Sequence, residues 1–180
     1  MNMKILVTLI LLTSFAFAAG TFSTCGAVLN SAGVWTLTAD IVNQYPASYC
    51  VEVTSANVVI DCQGKMIDGD DPYATHGTAK LGIHPHANAN LTIKNCYISD
   101  WYAGVSEWVD LMVGPLTIIN TTFRSNEVAG IYAFTQALGN VTILNSTFIG
   151  PEMGFYSYGW DHVFNNVTFA NFTASEFWKS

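Results

Sequence analysis

The sequence predicts an all-β solenoid, in which one chain winds through stacked coils of short parallel strands. A unit made of an apolar β-run, an asparagine and a second short β-run recurs at residues 57–69, 90–100, 115–125, 140–150 and 162–172. Its central apolar residue stands at Ile60, Ile93, Ile118, Ile143 and Phe164. A period of roughly 25 residues with strand patterning is typical of a solenoid. A helical period is not sustained anywhere in the chain.

The composition agrees with this fold class and excludes one kind of partner. Hydrophobic residues make up 51% of the 180 residues and charged residues 11%. Buried parallel strands are apolar on nearly every inward position, which accounts for this composition. The net charge of −7 argues against a nucleic-acid partner, because phosphate binding requires clustered Lys and Arg.

The N-terminal segment Met1–Ala19 has the features of a signal peptide. Lys4 supplies a basic start, residues 5–17 are apolar, and the A-x-A sequence at 16–18 predicts cleavage. This apolar run is shorter than the roughly 20 residues that a membrane span needs. We therefore expect a mature protein without a membrane span, secreted or held at the cell surface.

The mature chain, residues 20–180, is predicted to be one domain. Residues 20–55 are expected to form an N-terminal cap and an incomplete first coil, because alternating strand patterns occur at 34–42 and 50–54. Residues 56–172 form the repeat, about four to five coils, and residues 173–180 are a tail. The long first step of the repeat contains a loop, DGDDPYATHGT, at 68–78.

A second signal follows each unit, a glycine and then an apolar residue. It occurs at Gly82-Ile83, Gly104-Val105, Gly130-Ile131 and Gly154-Phe155, in phase with the first signal. Each coil therefore has at least two strands, and we expect a third.

Four cysteines, an even number in an exported chain, suggest disulfides. They are Cys25, Cys50, Cys62 and Cys96. A Cys25–Cys50 bond would close the N-terminal segment. Cys62 and Cys96 occupy nearly the same place in successive units, about 4.8 Å apart when stacked, which is compatible with either a bond or two buried thiols.

The asparagines that end the first run of each unit are expected to be structural. They are Asn95, Asn120, Asn145 and Asn166 (or its neighbour Asn165). Asparagine tolerates the left-handed backbone of a sharp corner, and its amide can bond to the next asparagine in a ladder. We expect these side chains to be buried.

Six N-x-S/T sequons are present, and three of them belong to the ladder. The six are Asn90, Asn120, Asn140, Asn145, Asn166 and Asn171. Asn90, Asn140 and Asn171 are placed at turns and are candidate glycan acceptors, whereas the ladder asparagines are expected to be unmodified.

The order of motifs resembles a known family. The pattern GVWTLTADI at 33–41, CVEVT at 50–54, NVVIDC at 57–62 and NLTIKNC at 90–96 resembles right-handed parallel β-helix proteins of the pectin-lyase-like superfamily. In particular it resembles the short repeat modules of exported archaeal and bacterial proteins. The resemblance covers residues 25–172 and implies a right-handed coil. Since the recurring residues build the coil, it implies no single activity.

Enzymes of this superfamily act on acidic polysaccharides as calcium-dependent lyases or as hydrolases, so the resemblance directs attention to carboxylates. Asp68, Asp70 and Asp71 form the densest acidic cluster and are the candidate catalytic residues and Ca²⁺ ligands. The Arg-x-Lys of the hydrolases is absent, and the only arginine is Arg124. Solvated turn chemistry is the alternative explanation of this cluster.

His84 and His86 are a second candidate metal pair. Residues two apart on a strand point the same way, so both imidazoles could face one Zn²⁺ or Cu²⁺ ion. No third ligand is evident from the sequence.

The second strand of each coil predicts an aromatic face. If Ile83, Val105, Ile131 and Phe155 point inward, the residues that follow them point outward, in two adjacent columns. The candidate ligand- or partner-binding residues on and beside these columns are Trp101, Trp108, Tyr132, Phe134, Tyr156 and Tyr158. Such a stripe fits a glycan platform, a protein or self-assembly surface, or a face covered by a loop or by the C-terminal tail.

The sequence thus predicts an exported β-helix module with a structural or binding role, whose aromatic face contacts a glycan or a protein. A polysaccharide lyase or hydrolase, and a subunit that assembles end to end, are the alternatives.

Overall fold

A computed structural model gives the structure of the chain. It describes residues 18–46, 48–70, 80–86, 90–106, 114–133, 140–150, 152–157, 161–173 and 177–179. The regular structure in these ranges is twenty short strands, numbered β1 to β20 along the chain, without a helix. The predicted all-β class is confirmed.

The strands form three parallel sheets. Sheet I contains β1 (Ala18–Phe22), β3 (Gly33–Leu37), β6 (Val58–Asp61), β9 (Leu91–Lys94), β12 (Leu116–Ile119), β15 (Val141–Leu144) and β18 (Val163–Asn165). Sheet II contains β4 (Ile41–Gln44), β7 (Met66–Gly69), β10 (Tyr97–Ser99), β13 (Thr122–Arg124), β16 (Thr147–Ile149) and β19 (Thr168–Ala170). Sheet III contains β2 (Ala27–Leu29), β5 (Tyr49–Val53), β8 (Leu81–Pro85), β11 (Ala103–Ser106), β14 (Ala129–Ala133), β17 (Met153–Ser157) and β20 (Phe177–Lys179).

The chain visits the sheets in the order I, II, III, so each full coil has three strands and stacks on the coil before it. The register follows the sequence repeat, because consecutive pairings join Ile60, Ile93, Ile118, Ile143 and Phe164. Residues 56–172 contain five strands of sheet I and hence five coils. The predicted solenoid and its third strand are confirmed.

The core is built from columns of inward side chains. In sheet II, Ile67, Ile98, Phe123 and Phe148 are buried and pair in register with Phe169. The phenyl rings stack from coil to coil: the centroids of Phe123 and Phe148 are 4.8 Å apart, and those of Phe148 and Phe169 are 5.0 Å apart. Dispersion contacts therefore reinforce every step of the backbone ladder.

The corner between sheets I and II uses the left-handed asparagines that the sequence predicts. Asn95, Asn120, Asn145 and Asn166 have φ values of 56°, 48°, 48° and 53°. Asn120 Nδ2 donates to Asn95 Oδ1 at 2.9 Å, and Asn166 Nδ2 donates to Asn145 Oδ1 at 2.9 Å. The ladder is confirmed at these two steps, but its expected burial is wrong. Asn120, Asn145 and Asn166 are exposed and Asn95 is half-buried, because the corner projects from the coil.

The N-terminal segment, residues 18–29, already contributes strands to the stacked sheets. β1 and β2 belong to sheets I and III, and residues 18–29 contribute no strand to sheet II, so this first coil is incomplete. β3, β4 and β5 then form a full coil across all three sheets. The predicted signal peptide lies outside the described residues except for Ala18 and Ala19, the first residues of β1.

Two disulfides join neighbouring coils in the N-terminal half of the solenoid. Cys25 bonds to Cys50, and Cys62 bonds to Cys96. The Cys25–Cys50 pairing agrees with the sequence, and the choice left open for Cys62 and Cys96 is decided in favour of a bond. In the parts of the chain that the structure describes, no helix is long and apolar enough to cross a membrane.

Candidate functional site

The outer face of sheet III carries the predicted column of side chains. Pairing in register places Val28, Glu52, His84, Ser106, Tyr132 and Tyr156 in one line, one residue per coil. Each follows a residue that points into the core, as the alternation of a strand requires. The column begins at the exposed, apolar Val28, is polar from Glu52 to Ser106, and is aromatic at Tyr132 and Tyr156.

Tyr132 and Tyr156 form the aromatic part of the column. Their ring centroids are 4.8 Å apart and their planes differ by 16°, and both side chains are partly exposed. Stacked in this way, the two rings turn one face towards each other. A ligand at this surface therefore meets ring edges and hydroxyl groups as well as ring faces.

A polar cluster lies at the other end of the same face. His86 Nε2 is 2.5 Å from Glu52 Oε1, and Tyr49 Oη donates to the same oxygen at 3.3 Å. The Tyr49 ring stacks on the His84 ring with centroids 4.7 Å apart. The cluster combines a carboxylate, an imidazole and a phenol, groups that bind hydroxyls and amides.

Strand alternation predicts that the His84 side chain points to solvent, and this prediction is wrong. Its side chain is 1% exposed, and Nδ1 lies 2.9 Å from the carbonyl oxygen of Ser106. This nitrogen is thus engaged with the backbone of the next coil, and His84 and His86 do not form an exposed metal pair. Over the described residues, no group of three or more His, Cys, Asp or Glu could hold a metal ion.

Trp101 was expected beside the aromatic columns, and that expectation is wrong. Its side chain is 1% exposed, and its indole N–H donates to the carbonyl oxygen of Ile67 at 3.0 Å. Gly69 and Gly82 leave the space for it, since a Cβ on Gly82 would lie 3.0 Å from its ring. Trp101 is therefore a core residue at the corner between sheets II and III.

Three further residues predicted for this face, Trp108, Phe134 and Tyr158, lie outside the described residues, as does Asp71 of the acidic cluster. The aromatic column is thus seen at Tyr132 and Tyr156.

The two described carboxylates of the acidic cluster have different surroundings. Asp68 is 8% exposed, and its oxygens accept hydrogen bonds from Ser99 Oγ at 2.5 Å and from the Asn43 N–H at 3.1 Å. Asp70 is exposed. Asp68 thus joins three coils of sheet II, and both of its oxygens already have donors.

Asp61 stands at the N-terminal end of the asparagine ladder, a role not predicted from the sequence. Its Oδ1 accepts hydrogen bonds from Asn95 Nδ2 and the Gln63 N–H, and Oδ2 lies 3.1 Å from Lys94 Nζ. Burial alone would raise the pKa of Asp61, but these hydrogen bonds and the Lys94 charge together lower it below its ordinary value. The sequence does contain a sign of this role, because Asp61 ends the first apolar run of the unit at residues 57–69.

A second missed feature is an acidic stack at the corner between sheets II and III. Glu127 and Glu152 stand just before the sheet III strands of successive coils, one residue out of register, because Met153 pairs with Ala129 and its N–H donates to the Val128 carbonyl oxygen. Burial, followed by the charge of Glu152, raises the pKa of Glu127. Burial and both glutamates raise the pKa of Tyr102. The two glutamates recur at the period of the repeat, so this stack could have been read from the sequence.

Comparison with known proteins agrees with the three-sheet solenoid. The family model described as "Right handed beta helix region" matches residues 21–174. No curated protein and no solved structure matches the chain. The match covers most of the sequence and spans every coil from β3 to β19. The chain therefore belongs to the right-handed β-helix family.

Proposed function

We propose that this β-helix protein is exported and acts as a binding module, with the outer face of sheet III as its contact surface and a glycan as its ligand. The observation that carries the proposal is the line of side chains on that face. The tyrosine stack stands at one end, and the Glu52–His86 pair with Tyr49 stands at the other.

The chemistry of the line suits a chain of sugars. Carboxylate, imidazole and phenol groups exchange hydrogen bonds with hydroxyls, and the edges of the stacked tyrosine rings can contact the apolar patches of sugar rings. Successive coils repeat at about 4.8 Å, so the line from Glu52 to Tyr156 spans about 19 Å. His84 and Ser106 in the middle of this line are each 1% exposed, so a ligand that lies along the solenoid axis would contact the polar cluster and the tyrosine stack at its two ends.

Two observations support export. Disulfides persist in oxidising compartments outside the cytosol, and the chain has two. The N-terminal sequence has the three parts of a signal peptide.

A protein partner, including a second copy of the chain, is the second candidate. It is favoured by the orientation of the tyrosine rings, which turn faces towards each other and so offer edges and hydroxyls to the surface. Tyrosines of this kind are enriched at protein interfaces. A lyase or hydrolase that uses Asp68 is not proposed, because both of its oxygens accept structural hydrogen bonds.

Affinity electrophoresis tests the glycan proposal. The mature protein is run through gels that contain mixed-linkage β-glucan, xylan, mannan or polygalacturonate. We expect retardation in at least one neutral polysaccharide and none in polygalacturonate, because like charges repel. A Tyr132→Ala/Tyr156→Ala variant should bind about tenfold more weakly or worse.

Tyr97→Ala is the matched control, because Tyr97 lies on the outer face of sheet II and is also partly exposed. Its variant should migrate like the wild type. Free migration of the wild type in all four gels, or equal retardation of the double variant, would exclude the glycan proposal.

Sedimentation velocity tests the second candidate on the same proteins. Association that grows with concentration in the wild type and in Tyr97→Ala, but not in the double variant, would identify this face as a self-association surface.

A further inference from the structure

One sequon among the six differs from the others in its surroundings. Asn140 is exposed and immediately precedes β15, and its carbonyl oxygen accepts the Leu116 N–H at 3.2 Å. Its backbone therefore already takes part in the pairing of sheet I. The next residue, Val141, is fully buried, whereas Thr142 is partly exposed.

The extended backbone places both recognition side chains on one surface. Residues two apart on a strand point the same way, so Asn140 and Thr142 both face outward from sheet I. An enzyme that reads the asparagine and the threonine hydroxyl together finds both on the open side of the sheet.

The three ladder sequons differ in backbone and in side-chain bonding. Asn120, Asn145 and Asn166 have left-handed backbones, and the next residue is turned into the coil at Thr121 and Ser146. Asn120 Nδ2 and Asn166 Nδ2 donate to the preceding rung at 2.9 Å. Neighbouring rungs are about 4.8 Å apart, too close for branched sugars on successive rungs.

The remaining two sequons are also constrained. Asn90 precedes β9 in the same way as Asn140 precedes β15, but its Nδ2 donates to Asn57 Oδ1 at 3.0 Å. Asn171 has a left-handed backbone with φ of 61°, and Phe172 after it packs against the core.

We propose that Asn140 is an N-glycosylation site and that the ladder asparagines are not. The donor class is a lipid diphosphate-linked oligosaccharide, used by a membrane-bound transferase. Asn140 Nδ2 attacks the anomeric carbon, and a C–N bond forms. The bond from that carbon to the diphosphate oxygen breaks, its electron pair leaves with the lipid diphosphate, and the amide proton passes to the transferase.

The site has a structural consequence for the module. The glycan stands on the outer face of sheet I, whereas the column from Glu52 to Tyr156 belongs to sheet III. A glycan on Asn140 would thus belong to a different sheet from the proposed contact face and would leave that face to its ligand. The proposal rests on the export proposed above, and not on the identity of the ligand.

Glycopeptide mass spectrometry tests the proposal. The full chain with its leader is produced in insect cells, and the secreted and cell-retained protein are both analysed. We expect a glycan on the peptide that contains Asn140 and unmodified asparagine at 120, 145 and 166. Asn140→Gln and Thr142→Ala should each lose the same glycan, whereas the matched control Asn120→Gln should keep it.

The outcomes separate the two proposals. Secreted protein with unmodified Asn140, or with a glycan on a ladder asparagine, would overturn the assignment of the site. Protein that stays inside the cells without any glycan would contradict export, and with it the premise of the site.

Discussion

At the scale of the residue, Asp61 shows how a polar ladder can be ended. An asparagine amide both donates and accepts, so a ladder of asparagines leaves an acceptor without a donor at one end and a donor without an acceptor at the other. Asp61 only accepts, and it stands where Asn95 donates, with Lys94 balancing its charge. Although burial would raise it, the hydrogen bonds and the Lys94 charge in this arrangement lower the pKa of Asp61.

Replacing Asp61 by asparagine should therefore reduce stability in a pH-dependent way. The ion pair with Lys94 is lost, and the free energy of unfolding at pH 7 should fall by about 1 kcal/mol. A carboxyl whose pKa is lowered on folding stabilises above its unfolded pKa, and this stabilisation is lost as the pH falls through the folded pKa. The difference between wild type and Asp61→Asn should thus shrink as the pH falls from neutrality into the acidic range, below the ordinary pKa of an aspartate carboxyl.

Urea unfolding at several pH values measures this difference, with Asp70→Asn as a control at an exposed carboxyl. A difference that stays constant over this acidic range would show that the charge of Asp61 is not what stabilises the fold.

At the scale of the element, the structure explains why a glycine precedes the inward apolar residue in the strands of sheet III. Gly82, Gly104, Gly130 and Gly154 stand second in successive strands. A Cβ on Gly104 would lie 2.7 Å from the Gly130 carbonyl oxygen and 2.8 Å from the Phe123 ring. The column is glycine because aromatic rings pack directly against the backbone of sheet III: rings of sheet II at Gly104, Gly130 and Gly154, and the corner residue Trp101 at Gly82.

Gly104→Ala should consequently destabilise the protein by about 1–3 kcal/mol, since a backbone oxygen on the next coil cannot move aside without distorting the sheet. Thermal unfolding followed by circular dichroism would report it. Thr117→Ala, on the outer face of β12, is a suitable control and should cost less than about 1 kcal/mol. Equal melting temperatures for wild type and Gly104→Ala would show that the added methyl group is accommodated beside the Gly130 carbonyl oxygen and the Phe123 ring without loss of stability.

The repeat explains why the fold could be predicted and parts of the site could not. Each unit fixes which residues point inward, so the register from Ile60 to Phe164 follows from the sequence alone. The alternation also predicts that His84 lies on the outer face of its sheet. It carries no information on whether other groups cover that position, and His84 is in fact buried. Trp101 was misplaced for a related reason, because it lies at a corner where alternation stops and two glycines open a space for it.

At the scale of the whole molecule, covalent links are confined to one half. Cys25–Cys50 and Cys62–Cys96 join coils in the N-terminal half, and the coils that follow are held by packing and hydrogen bonds. A disulfide stabilises chiefly by restricting the unfolded chain, and more so for a longer loop.

Removing the Cys62–Cys96 bond should lower stability by about 2–4 kcal/mol, because it closes a loop with a sequence separation of 34. A Cys62→Ala/Cys96→Ala variant, compared with wild type by urea unfolding, measures this loss. With both disulfides reduced, the two proteins should converge in stability. Equal stability of variant and wild type under oxidising conditions would show that the coil stacking alone fixes this region.

The direction of the side-chain amide bonds has a consequence for how such a chain can change in length. The bonds from Asn90, Asn95, Asn120 and Asn166 each donate to the coil nearer the N-terminus. At these steps a coil presents an acceptor to the coil after it and a donor to the coil before it. Duplication of one unit within the repeat would keep this donor–acceptor direction, whereas the coil that carries Asp61 can stand only at the start of the asparagine ladder, after the coils formed by β1 to β5. The asparagine ladder therefore has one fixed end, at Asp61. The number of coils that follow can change by gain or loss of whole units.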